Sequence, residues 1–264
     1  MMGPRGWFYR LRVGVLSAML AALTLWACYD VRDRRARNEW EVPVRVGLVL
    51  VRRGNVDERA FAALRARAAI LEERLAAEYR RYRPESAEAM IRILPFGPVA
   101  MEEVPPSEPG PGFFSRVRHA LQLWAYTRAV DAAAGVPRST LDSRIYLVAE
   151  SPRSGTVEGF SETRGRVGVA RVELDEDTID LALFVAAHEL LHTLGASDKY
   201  ELETGRTAIP IGLPEPERVP LFPQPYAEIM ARNRVVSATT EVAPRCLSEL
   251  RVGRLTAREI GWAR

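Results

Sequence analysis

His188-Glu189-Leu190-Leu191-His192-Thr193-Leu194-Gly195-Ala196-Ser197-Asp198 is the stretch on which the reading of this chain turns. It follows the strongly apolar run from Thr178 to Ala187, with Asp177 or Thr178 available as N-cap, so it reads as the second half of a buried helix. Successive helical residues turn by about 100°, which puts His188 and His192 on one face, one turn apart. Two imidazoles so spaced can both reach one tetrahedral Zn2+ at about 2.0–2.1 Å. Glu189 sits beside the pair but off their axis, where a carboxylate can hold a water and take its proton. Of the three histidines in the chain, two are committed to this turn. A helix holding them for packing alone would leave Glu189 in need of a partner on an apolar surface.

A zinc hydrolase keeps three protein ligands and one open position. The remaining histidine, His119, lies mid-helix and far upstream, so Asp198 is the better third ligand. Gly195 can adopt the left-handed conformation that ends the helix, after which the chain turns back toward the metal. A later glutamate, Glu215, Glu217 or Glu228, stays open as an alternative third ligand, as in a gluzincin-like zinc hydrolase.

The pattern H-E-x-x-H-x-x-G-x-x-D resembles the metzincin signature, and its Asp form is similar to the snapalysin-type, matrixin-like zinc metallopeptidases. Tyr226-Ala227-Glu228-Ile229-Met230-Ala231-Arg232 looks like the metzincin Met-turn, which implies that Met230 underlies the metal. The resemblance implies one catalytic Zn2+ held by His188, His192 and Asp198, Glu189 as general base, and a peptide or protein substrate. It implies an α/β (α+β) fold: a twisted mixed sheet with two long helices, the zinc helix, the Met-turn and a C-terminal helix. An edge strand would pair with extended substrate, and residues 165–174 (GRVGVARVEL) are its candidate. The Thr256-Ala257-Arg258-Glu259 capping box would start the last helix. Some metzincins carry a Tyr two residues after the Met, where this chain has Arg232. Arg232, Tyr200 and Tyr226 are therefore candidates for transition-state support. The proline-rich 209–225 would be a specificity wall or a rigid connector. A non-catalytic scaffold of the same fold is the competing reading, although His188, Glu189, His192 and Asp198 are all present.

Outward from the motif, the elements alternate. Pro43 to Val51 reads as a strand, Arg59 to Tyr82 as an amphipathic helix with Phe61, Leu64, Ala68, Leu71 and Leu75 on one stripe, and Met90 to Leu94 as a short strand. Pro95 to Gly112 holds six prolines and three glycines and reads as a loop. Phe114 to Ala134 has helical spacing, Ile145 to Ala149 reads as a strand, and 165–174 alternates as another. Residues 43–264 thus read as one α/β domain, and the resemblance above implies that it is a metzincin-like zinc peptidase domain.

The N-terminal part differs in kind. Residues 1–12 are basic, 13–29 (VGVLSAMLAALTLWACY) hold no charge, and 30–42 read as a charged linker. Seventeen apolar residues sit at the lower limit for a membrane span and run slightly long for a signal core. The segment reads as a transmembrane anchor or signal, placing the catalytic domain outside the cytoplasm or exporting it. Leu25-Trp26-Ala27-Cys28 resembles a lipobox, so lipidation at Cys28 is a further route to the membrane. Residues 1–37 carry seven Arg against Asp30 and Asp33, so +5 sits there and −2 on the remainder. The folded part therefore offers no electrostatic case for nucleic acid. With only Cys28 and Cys246, a disulfide within the domain is not expected. Lys199, the sole lysine, reads as a by-product of arginine-rich composition.

Overall fold

The computed structural model describes residues 4–86, 88–107, 109–151, 157–161 and 165–263. Its elements begin with helix α1 (Pro4–Arg37), strand β1 (Val44–Arg53), α2 (Glu58–Tyr82), β2 (Ile91–Ala100) and α3 (Phe113–Ala134). They continue through β3 (Ser143–Glu150), β4 (Val157–Ser161), β5 (Val167–Glu173) and α4 (Ile179–Thr193). Short strands β6 (Ala227–Glu228), β7 (Arg234–Val235), β8 (Glu241–Val242) and β9 (Leu250–Arg251) precede the final helix α5 (Arg254–Glu259). The architecture is mixed α/β around a five-stranded sheet of order β2-β1-β3-β5-β4, with β4 antiparallel and its neighbours parallel.

Both faces of the sheet are covered, which is why β1 and β3 read as nearly continuous apolar runs. Leu48, Leu50, Ile145, Leu147, Ala170 and Val172 face α2 and α4; Val49, Val51, Tyr146, Val148 and Val169 face Tyr126 and Val130 of α3. Asp57 caps α2 by accepting from Arg59 N at 2.9 Å. Almost every residue of α4 is buried, as its all-round apolar composition requires. Asp180, near its start, is held by Arg67 at 2.6 Å and by Leu247 N at 3.2 Å.

Four expectations are corrected. Strand β2 runs on through Pro95 and Pro98 to Ala100, because it is an edge strand and needs ladder donors on one side only. Its bulge falls at Gly97 (φ +84°), where a Cβ would collide with the Leu50 carbonyl. Residues 165–174 do not form the sheet edge: β5 lies between β3 and β4, and the edge is β4, which carries too short an apolar signal to stand out. Thr256 to Glu259 does not open the last helix. Helix α5 starts at Arg254, and the buried Glu228 carboxylate supplies its cap by accepting from Gly253 N at 3.0 Å and Thr256 Oγ1 at 2.5 Å.

The fourth correction concerns residues 30–42. Helix α1 continues to Arg37, whose guanidinium is buried and donates to Gly165 O at 3.1 Å and Asp142 O at 3.3 Å. Asn38 Nδ2 donates to Leu194 O at 2.7 Å, at the end of α4. Trp40 is buried between Tyr79 and Trp262, with ring centroids 5.6 and 5.7 Å away, and its Nε1 donates to Ile260 O at 2.7 Å. The end of the supposed linker, Arg37 to Trp40, is docked onto the domain. Farther back along the same helix, Trp7–Tyr29 is a stretch of 23 residues long and apolar enough to cross a membrane, with none of its described side chains buried.

Candidate metal centre

Helix α4 carries His188 and His192 on one face, and the chain reversal that follows delivers Asp198. Gly195, at φ +106°, makes the turn, with Gly195 N donating to His192 O at 2.9 Å and Ala196 N to Leu191 O at 3.0 Å. The Nε2 atoms of His188 and His192 stand 3.1 Å apart. Asp198 Oδ1 lies 3.3 Å from the first and 3.2 Å from the second. A point about 2.05 Å from all three subtends about 100° at each pair, close to tetrahedral. Among the described residues this is the group of His, Cys, Asp and Glu side chains able to hold a metal ion.

The neighbours decide which ring nitrogens could be ligands. His188 Nδ1 faces Ile229 O at 2.8 Å and His192 Nδ1 faces Ala196 O at 2.9 Å. Carbonyl oxygens only accept, so each Nδ1 carries the proton and each neutral ring turns a lone pair inward through Nε2. Two lone pairs and a carboxylate oxygen thus converge on one point. Asp198 Oδ1 is buried with no hydrogen-bond donor of proper geometry, since the imidazole nitrogens facing it are acceptors. Such a donor set fits a divalent cation of the zinc type. The field agrees. Burial works against a charge on His192, yet the Asp198 and Glu189 carboxylates outweigh it and raise its pKa. Burial would likewise raise Asp198, but with no metal ion between them protonated imidazoles would hold its carboxyl well below its usual range. The site attracts positive charge.

Glu189 is buried beside this cluster, close enough for its charge to act on both His192 and Tyr200. It lies against β5 at Gly168, where a Cβ would come within 3.1 Å of Glu189 Cβ and 3.0 Å of Ile145 Cδ1. Met230 is fully buried in a tight turn, Ile229 to Ala231, whose carbonyls work for the site: Ile229 O orients His188, and Met230 O accepts from Lys199 N at 2.8 Å. Glu228 accepts from Met230 N as well as from the start of α5, and burial pushes its carboxyl pKa up. All its oxygens are engaged away from the metal cluster, and neither it nor Glu215 nor Glu217 joins that cluster.

Of the three candidates for transition-state support, Tyr200 is nearest. Its ring is 6.4 Å from that of His188, and burial together with the Asp198 charge pushes its hydroxyl pKa to about 12. Arg232 adopts φ +71°, ψ −49°, a conformation rare outside glycine, and stacks 5.3 Å above the Tyr200 ring. Tyr226 is instead covered by Arg251, 3.5 Å from its centroid, with Arg74 at 6.0 Å. His119 is on α3, across the sheet. The sequence reading passed over Asn38, Ile229 and Ala196, which act through long-range or main-chain contacts. It also passed over Lys199, for which being the sole lysine was a usable signal.

No family model matches the chain, and no curated protein matches it. Among solved structures, a chaperone-substrate complex is similar over 62% of this chain at 15% identity, with a TM-score of 0.35. The match spans 28% of that structure's chain, and a likeness of this degree carries no argument about either fold or function.

Proposed function

We propose that this chain is a zinc-dependent peptidase of the metzincin type, held at or exported across a membrane through its N-terminal helix. The observation that carries the reading is the convergence of two Nε2 lone pairs and one carboxylate oxygen at 3.1–3.3 Å from one another, with a buried glutamate alongside. His188, His192 and Asp198 would hold the ion. When bound, zinc supplies Lewis acidity toward a carbonyl oxygen and lowers the pKa of water.

The remaining work falls to the protein. The Glu189 carboxylate accepts the proton of the attacking water and returns it to the leaving amine nitrogen. Its burial and the apolar surround limit competing solvent. Tyr200, kept protonated by its raised pKa, is suited to donate a hydrogen bond to a developing oxyanion. Strand β4, outermost among the described strands on that side of the sheet, would offer an extended peptide main-chain partners. The Met230 turn supports the assignment through Ile229 O, which fixes the tautomer of His188.

The full chain is expected to hold one zinc per molecule by elemental analysis and to cleave members of a peptide library. Glu189→Gln should retain that zinc and lose about 10²–10⁴-fold in rate, the usual share of a general acid–base group. Cleavage at the wild-type rate by this variant would overturn the mechanism. A folded chain that takes up no zinc at neutral pH would overturn the reading altogether.

A further inference from the structure

The third ligand is held from outside the metal cluster. Asp198 lies between Ser197 and Lys199, and both neighbours are tied to Glu259 at the end of α5. The Lys199 side chain is 1% exposed. Its ammonium donates to Ser197 O at 2.7 Å, Ser197 Oγ at 2.8 Å and Glu259 Oε2 at 2.8 Å. An ammonium has three N–H groups, and all three are used. Glu259 in turn accepts from Ser197 N at 3.0 Å through Oε2 and from Ser197 Oγ at 2.8 Å through Oε1.

The main chain closes the frame. Lys199 N donates to Met230 O, and Lys199 O accepts from Ala208 N, each at 2.8 Å. The residues before and after Asp198 are thereby fixed to α5 and to the turn beneath the metal cluster. Three oxygens converging on one nitrogen suit a compact ammonium; a planar, forked guanidinium would not present three donors to them. That requirement explains why a chain with 37 Lys and Arg in total keeps its single lysine here.

We infer that Lys199 and Glu259 are positioning residues, a buried clamp that presents Asp198 to the metal and makes α5 part of the metal centre without touching the ion. The inference rests on the zinc reading above. Conserved outer-shell partners of metal ligands typically govern affinity by about 10–100-fold.

The test is zinc affinity of the full chain by competition with a chelator, measured beside the thermal midpoint of the metal-free protein. Lys199→Met and Glu259→Gln should each weaken zinc binding about 10–100-fold. The double variant should be little worse than either, because the two act as one unit. Ser197→Ala, a milder change that removes one link, should shift affinity in the same direction by less. Arg144→Met breaks a buried pair with Asp131 across the sheet, and it should lower the midpoint while leaving zinc affinity intact. Wild-type affinity in every clamp variant overturns the clamp and leaves the zinc reading standing. A wild-type chain without zinc, or a clamp loss no greater than that of Arg144→Met, also overturns the clamp, the former taking the zinc reading with it.

Discussion

Replacing Trp40 by alanine asks whether residues 30–42 belong to the folded domain. Trp40 is 6% exposed, packs edge-on against Trp262 and tilted against Tyr79, and donates to Ile260 O at 2.7 Å. Truncating a buried Trp to Ala costs about 3–5 kcal/mol in transfer and cavity terms. The orphaned Ile260 carbonyl adds about 1 kcal/mol unless water reaches it. A loss of about 4 kcal/mol in a domain of this size corresponds to a fall of roughly 8–16 °C in the thermal midpoint. The assay is thermal unfolding of the full chain in detergent, read by near-ultraviolet circular dichroism, with Trp7→Ala on the exposed helix as control. A free linker predicts no shift in either variant. A shift below about 2 °C for Trp40→Ala would refute the docked arrangement and the reasoning drawn from it.

Acid should unfold the protein partly through Glu150. Burial opposes its ionisation, but Arg53 at 2.7 Å and Arg171 at 3.0 Å hold its pKa below the usual carboxylate range. A depressed folded pKa contributes stability that is present above the unfolded value and lost as pH falls through the folded one. Midpoints should therefore decline below about pH 4.5, and Glu150→Gln should flatten that decline; an unchanged pH profile would contradict the pairing. Glu228→Ala should strip acceptors from Met230 N, Gly253 N and Thr256 Oγ1 at once and cost about 3 kcal/mol or more, read as a lowered urea midpoint. Stability within about 0.5 kcal/mol of wild type would show that those donors find other partners.

Much of the candidate metal centre was legible because a helix repeats every 3.6 residues, so His188, Glu189 and His192 declare their relative positions locally. Gly195 announced the reversal for a similar reason, since its positive φ is a local demand. Contacts between distant segments left no such trace. Asn38 reaches Leu194 and Arg37 reaches Gly165, and nothing in a run of charged residues signals partners more than a hundred positions away. Prolines misled for a physical reason as well. Pro95 and Pro98 cannot serve a central strand, but at an edge the missing donor costs nothing. Lys199 was read by composition, whereas its meaning lies in three oxygens brought together only by the fold.

The bare Cα of Gly168 has a further consequence. The sheet works there as a depth stop for α4, setting how far the turn bearing His188 and Glu189 can sink toward β5. A side chain at 168 would press on Glu189 and Ile145 and displace them by a few tenths of an ångström, so under the proposed function metal grip and proton transfer would change together.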